Sequence, residues 1–336
     1  MRVVAAAAFA LLAVGGGLVA RATPDGSVSA APRISGPYVY ENLDVYLVHG
    51  RDQMAGRRLV PLAQALAEKK AIVRETGNVS SLTVENLSDQ EVYVQAGEIV
   101  KGGRQDRVLS SDLVLPPKSG PVDVGSFCVE HGRWTKRGAE EADRFASSEA
   151  YLAHKDLKMA NSKGDQGEVW QNVARVQAKL SANLKGEVRG AQSASSLQLT
   201  LESERVRKSV EGYVQALAPL LERHPDAVGY AFAVDGSLNS AEIYASPALF
   251  RALWPKLLRA SAVEAVAERK DGVPHTPPGV EAVSAFLGDP GQGVVTEKAA
   301  STGTSAVSRE TESRVVIETQ EKQRKGAWIH QSYLKK

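Results

Sequence analysis

RVVIETQEKQRKGAWIHQSYL, residues 314–334, reads as two strands, RVVIETQ and AWIHQSYL, with the charged QEKQRKG as their turn. Strand-like runs also crowd the first part of the chain, and helical patterns fill the middle. Strand signals at both ends make one α+β unit the expected architecture, its C-terminal strands returning to the N-terminal β layer. Two domains divided near residue 150 are the alternative.

Working back from that end, VGYAFAVDGSLNSAEIYA (228–245) holds two alternating runs around Asp235-Gly236, a strong hairpin signal. Ser246-Pro247 supplies an N-cap and then proline at the first helical position. The helix it opens carries Phe250, Leu253, Trp254, Leu257 and Leu258 on one face. Pro255 is expected to kink or split that helix. Residues 271–293, with STGTS (301–305) beyond, mix a short helix with Gly/Pro/Ser-rich linker. The centre is a helical pair. Val169, Val173, Val176, Leu180 and Leu184 form one apolar stripe; Val210, Tyr213, Val214, Leu217, Leu220 and Leu221 form a second, which Pro219 kinks or ends.

From Tyr38 to about Trp134 the pattern is mostly β. VYENLDVYLVHG, AIVRE, VSSLTVEN, EVYVQAGEIV, DLVLPP and PVDVGSFCVEH are separated by the turn signals ETGN, NLSDQ, KGGRQ and PPKSG. PLAQALAEKK interrupts them as a short helix with Pro61 at its first position. Many closely spaced short strands suggest a sandwich or an open barrel. The expected domain therefore covers 38–336, β-rich over 38–134, helical over 140–225 and mixed over 226–336.

The 336 residues are 43% hydrophobic and 24% charged, enough apolar material for a sizeable core. Forty-one basic against 39 acidic residues leave a net charge of +2, which argues against a nucleic-acid partner. Arg2, the apolar run VVAAAAFALLAVGGGLVA and Ala20-Arg21-Ala22 read as a signal peptide over 1–22. An uncleaved anchor is the alternative, against which Gly15 to Gly17 count. Residues 23–37 form a flexible lead-in. No other apolar run approaches the roughly 20 residues that span a bilayer, so the expected protein is exported, periplasmic or secreted, without a stable membrane span.

Export raises the question of Cys128, the single cysteine. It is a buried inert thiol, a reactive thiol or half of an intermolecular disulfide. It lies in SFCVEHGRW (126–134). As a strand, this stretch puts Val122, Val124, Ser126, Cys128 and Glu130 on one face, with Phe127, Val129 and His131 on the other. Cys128 then stands at the lip of a core and Glu130 next to water or a ligand. Gly132 allows a turn that folds Arg133 and Trp134 back. Arg133 or His131 would lower the thiol pKa and Glu130 would raise it. Cys128, Glu130 and His131 are metal-ligand types, but alternation separates them and neither HExxH nor CxxC occurs. A metal would need Glu130 with a distant histidine such as His330 or His49, and none is expected.

In GEIVKGGRQDRVL (97–109), Gly102-Gly103 lets backbone amides converge on an anion, and Lys101, Arg104 and Arg107 add charge. A charged hairpin turn is the simpler reading. In QGEVW (166–170), Gln166 and Trp170 share a helix face. Nucleophile-elbow, P-loop and dinucleotide-binding motifs are missing, which sets aside several common enzyme classes and leaves open a triad assembled from distant residues.

VRET (73–76), VENLSD (84–89), GE followed by GGRQDR, CVEHGRW, QGEVW and the VGYAFAVDG…SPALFRALWPKLLR block, in this order, resemble the first type of the ARPP domain family. The name stands for ADP-ribosylglycohydrolase and rhodanese-phosphatase superfamily associated protein. The resemblance covers most of Tyr38 to Leu334. It implies a role near ADP-ribose or NAD-related ligands and carries over no catalytic residue, cofactor or protein partner. The expected function is an exported α+β domain with a polar pocket for an anionic, nucleotide- or ADP-ribose-like small molecule. Arg104, Arg107 and Arg133 would hold phosphate or carboxylate and Trp134 would stack on a ring. Glu98, Gln105 and His131 complete the ligand-binding set. In an enzyme, Glu130 would be the general base and Cys128 the nucleophile. The alternative is a non-catalytic envelope or interaction protein, in which the same residues form a buried Arg–Glu pair beneath Trp134.

Overall fold

The computed structural model describes residues 32–270, 272–299, 303–324 and 326–336. The expected signal peptide, and the lead-in as far as residue 31, lie outside the described residues. The chain opens with β1 (Arg33–Tyr40), β2 (Leu43–His49), β3 (Leu59–Pro61) and α1 (Leu62–Ala67). Then come β4 (Ala71–Glu75), β5 (Ser81–Asn86), β6 (Glu91–Val94), β7 (Glu98–Gly102), β8 (Arg107–Leu109), β9 (Leu113–Leu115), β10 (Gly120–Cys128) and β11 (Arg144–Tyr151). Four helices follow: α2 (Lys155–Lys163), α3 (Gln166–Asn183), α4 (Leu197–Glu202) and α5 (Glu204–Leu217). Next are β12 (Ala227–Val234), β13 (Ser237–Tyr244), α6 (Pro247–Glu268) and α7 (Val280–Leu287). β14 (Val294–Ala299), β15 (Thr304–Glu310), β16 (Arg314–Glu321) and β17 (Trp328–Lys335) close it.

These elements make an α+β fold with three β assemblies. An eight-stranded sheet runs β1-β2-β12-β13-β17-β16-β15-β14; β10-β5-β4-β11-β7-β8 closes into a barrel; β3-β6-β9 forms a small third sheet. The two strands of the opening quotation pair with each other, and β17 pairs on its other side with β13. The C-terminal strands thus join the sheet that holds β1 and β2, through the β12–β13 hairpin, and leave the barrel to the strands between. The expected sandwich or open barrel is a closed barrel instead.

Local chemistry accounts for most of this. Asp235 and Gly236 adopt φ of 47° and 73°, the left-handed pair a two-residue turn between twisted strands requires. β2 is buried along its whole length because both faces of the sheet are covered. Leu43, Val45 and Leu47 pack into the core that includes α3, α5 and α6, while Tyr46 and Val48 meet Val283, Phe286 and Leu287 of α7. Each such side chain contributes about 1.5–3 kcal/mol by leaving water. The stripe on α3 is buried at Val169, Val173, Val176 and Leu180, and α5 ends at Leu217 before a 3-10 turn that contains Pro219. The barrel has its own core, with Val73, Leu82, Val84, Val100, Leu109 and Val124.

Four expectations change. Residues 33–37 of the lead-in belong to β1. β11 lies inside the region expected to be helical. β14 and β15 occupy much of the expected linker. Pro255 leaves α6 as one helix, because it sits on the exposed side, where the carbonyl that loses its partner faces water. Among the described residues no helix is long and apolar enough to cross a bilayer.

Candidate functional site

The two stretches singled out from the sequence are neighbours. β8 runs antiparallel to β10, with Arg107 opposite Cys128, and β7 and β8 are joined by the turn that holds Gly103 to Asp106. A Cβ on Gly103 would stand 2.2 Å from the Phe145 ring, so only glycine lets the turn lie against β11. The amides of this turn are already engaged. Gly102 N–H donates to Asp106 Oδ1 at 3.1 Å, and Gly103 N–H donates to the carbonyls of Glu141 and Arg144 at 3.0 and 3.2 Å. The anion this turn holds is the chain's own Asp106.

Asp106 has no exposed surface and accepts from Arg137 Nη1 at 2.8 Å, Arg137 Nη2 at 3.2 Å and Ser196 Oγ at 2.9 Å. Glu130, equally buried, accepts from Arg133 Nε at 2.9 Å, and Arg133 Nη2 lies 2.8 Å away. Burial alone would push Glu130 up, but the hydrogen bonds from Arg133 prevail and hold it below the usual carboxylate range. Arg133 reaches back because the chain turns at Gly132, whose φ is 88°. Glu130 is therefore an ionised, paired carboxylate inside the protein, and the expected solvent-facing general base is corrected on that point.

Arg107 is also fully buried. Its Nη1 donates to the Gln105 carbonyl and to Gln105 Oε1 at 3.3 and 3.4 Å, and its Nη2 lies 3.6 Å from Glu75. The guanidinium groups of Arg107 and Arg104 sit 5.6 and 5.4 Å from the Trp134 ring centroid. The ring expected to stack on a ligand already carries two cations. Cys128 is 1% exposed, and burial pushes its thiol up, with Arg107 opposing only in part. That is the setting of an inert thiol. Gln166 clasps the backbone of Cys128 with two 2.8 Å hydrogen bonds, and Trp170 Nε1 donates to the Glu130 carbonyl at 3.1 Å. The shared face of QGEVW is a dock for the strand end. His131 is exposed and lies edge-on to Trp170. Glu98 belongs elsewhere: it pairs with Lys256 at 2.7 Å, beside Tyr151. Among the described residues no three His, Cys, Asp or Glu side chains gather as a metal ion would require. The cluster chiefly joins barrel strands to α3 and the segment before α4, and its buried carboxylates are answered from within.

A second polar group lies where the eight-stranded sheet meets α2. His330, on β17, has Nδ1 at 2.7 Å from Asp112 Oδ2 and Nε2 at 2.8 Å from Glu242 Oε2. Glu242 also accepts from Lys158 Nζ at 2.7 Å, and Asp112 from Thr319 Oγ1 at 2.7 Å. The Tyr244 ring stacks on the imidazole with centroids 4.6 Å apart. Burial alone would lower His330, but Asp112 and Glu242 push it up to about 9. Burial alone would raise Glu242, but Lys158 and His330 bring it down to about 2. The ring is an imidazolium clamped at both nitrogens. Above this floor a cavity of about 190 Å³ is lined by Asn161, Lys163, Lys298, Ser308 and Thr319. The sequence names His330 and His49 only as distant partners for Glu130, and neither meets it. The available signal was Glu242 itself, a carboxylate inside an otherwise uncharged strand run.

A model of the ARG and Rhodanese-Phosphatase-superfamily-associated Protein domain, ARPP-1, matches residues 31–334. Neither the curated proteins nor the solved structures contain a match to the chain.

Proposed function

This chain belongs to the ARPP-1 family, and we propose that it is an exported protein that binds an anionic, hydroxyl-bearing small molecule of the nucleotide or ADP-ribose kind. The site we assign is the cavity over His330. The observation that carries this reading is the charge balance of that cavity. Its floor sums to zero, Asp112 and Glu242 against His330 and Lys158. Its mouth holds Lys163 and Lys298 against Glu310, which Lys336 already neutralises at 2.6 Å. The surplus is positive and suits phosphate or carboxylate. Asn161 Oδ1 is buried without a partner on the cavity wall, and Ser308 and Thr319 add hydroxyls for a ribose-like moiety. The family name links its members to ADP-ribosylglycohydrolase-type proteins, which points in the same direction.

Calorimetry with ADP-ribose, NAD and inorganic phosphate tests the assignment. Binding by the unaltered chain, weakened about tenfold or more in a Lys163→Ala, Lys298→Ala double variant, is the expected result. Lys163 and Lys298 are exposed, so the variant retains the fold. Equal binding by both proteins, or binding by neither, overturns it. Export is tested separately by N-terminal sequencing of the mature protein, which should begin after Ala22; an intact N-terminus in the cytoplasm refutes it.

The buried Arg–Glu cluster around Cys128 favours a structural role for those residues, since its two buried carboxylates are met by protein donors.

A further inference from the structure

We propose that Ser35, His49 and Asp226 form a serine-nucleophile site that hydrolyses short-chain carboxylic esters. It lies at the opposite end of the eight-stranded sheet from the cavity over His330, and it goes beyond the binding function assigned there.

Ser35 Oγ is 2.7 Å from His49 Nε2, and His49 Nδ1 is 2.9 Å from Asp226 Oδ1. Each ring nitrogen thus has the partner that nucleophilic catalysis by serine requires. An Nδ1–H donated to Asp226 leaves the Nε2 lone pair to accept from the serine hydroxyl; this tautomer is assigned from the partners. The surrounding groups obey the same polarity. Tyr38 O–H donates to Ser35 Oγ at 3.1 Å, and the Tyr38 oxygen lies 2.8 Å from His224 Nε2, whose N–H then points to it. At the other end Arg33 Nη2 lies 2.5 Å from Asp226 Oδ2. The hydrogen bond from His49, and then Arg33, keep the Asp226 carboxyl below its usual range against a small opposing effect of burial.

The fold builds this arrangement on purpose-shaped backbone. The β1–β2 register shifts between Ser35 and Tyr38, a bulge that brings their hydroxyls together. Gly36, at φ 120°, fills it, and a Cβ there would meet the Val45 carbonyl at 2.8 Å. His49 ends β2 opposite Arg33 on one side and Ala227 on the other, so its ring bridges Ser35 and the residue that precedes β12. His49 is 4% exposed, whereas Ser35 is partly exposed on β1, the outermost strand of the sheet.

The chemistry balances. Ser35 Oγ attacks the ester carbonyl carbon as its proton passes to His49 Nε2, and the Tyr38 hydroxyl donates to the developing oxyanion. The carbon–oxygen bond to the alcohol breaks, and His49 returns the proton to the departing oxygen. Water, deprotonated by His49, then attacks acyl-Ser35, releasing the acid and restoring the serine hydroxyl. Asp226 keeps the ring in its tautomer and is a positioning residue.

The full chain is assayed for hydrolysis of p-nitrophenyl acetate, and for labelling by phenylmethylsulfonyl fluoride mapped by mass spectrometry. The expected results are a sulfonylated Ser35 and measurable turnover of the ester. Ser35→Ala should abolish both label and turnover. Asp226→Asn, at a half-exposed position that leaves the fold intact, should cut kcat at least a hundredfold with KM little changed. Label elsewhere or nowhere, or turnover undiminished in Ser35→Ala, overturns the proposal, and a hydrogen-bonded strand tie is then all that remains. ADP-ribose binding at the distant cavity is indifferent to these variants, so the two assignments fail independently.

Discussion

His330 and His49 sit in one sheet, each beside a carboxylate, and their second partners make them different chemical objects. Glu242 takes the second nitrogen of His330, so that ring holds two protons, is ionised and has no lone pair to offer. A serine hydroxyl takes the second nitrogen of His49, which leaves a lone pair directed at a nucleophile. The carboxylates differ as well. Glu242 is 2% exposed in its side chain and Asp226 is 49% exposed. One network is an internal ionic clamp; the other opens to solvent. The partner that completes a histidine, more than the histidine's burial, determines whether it braces a fold or moves a proton.

The most severe way to break this contrast is Glu242→Gln. It leaves Lys158 and His330 as buried charges without their shared anion, and about 3–5 kcal/mol of stability should disappear in denaturant titration. A smaller effect follows from pH. His330 is raised in the folded state from its ordinary 6.5 to about 9, so its contribution is complete below pH 6.5 and is lost as pH climbs through 9. Glu242 is lowered from 4.5 to about 2, so its contribution is present above pH 4.5 and fades as pH falls toward 2. Thermal midpoints should therefore decline on the alkaline side, and His330→Asn should flatten that limb.

Ser35→Asp would convert the second network into a copy of the first. With carboxylates facing both nitrogens His49 should offer no lone pair to a nucleophile, and ester turnover should be lost. The mildest test is the stability of Asp226→Asn. Because Asp226 is half exposed, its ion pair with Arg33 should contribute less than about 1 kcal/mol to the unfolding free energy.

Much of the architecture was legible because local pattern and tertiary demand agree. The Asp235-Gly236 hairpin and the strands over 314–334 are alternating runs with suitable turns, and each is where the sequence places it. β14 and β15 were not legible, since β14 is exposed along Val294 to Lys298 and carries no buried face to leave a period-two signal. Which strands close the barrel and which join the sheet depends on pairings far apart in sequence, such as β2 with β12. Around Cys128 the clustering was visible and the internal pairing of its carboxylates was not. Asp106 stands inside the quoted GGRQDR, yet only its burial shows that it is the anion to which Arg137 and the glycine turn are directed. Ser35, His49 and Asp226 share no motif at all. A bulge and the turn before β12 bring them together, and neither leaves a mark in spacing.

The place of β17 between β13 and β16 sets a timetable. Both halves of the large sheet are complete in sequence before residue 328, but neither can be joined to the other until the ribosome has released the strand that separates them. Contacts of that reach form slowly. Until residues 328–335 are in place, the large sheet exists as two unjoined parts, β1-β2-β12-β13 and β16-β15-β14.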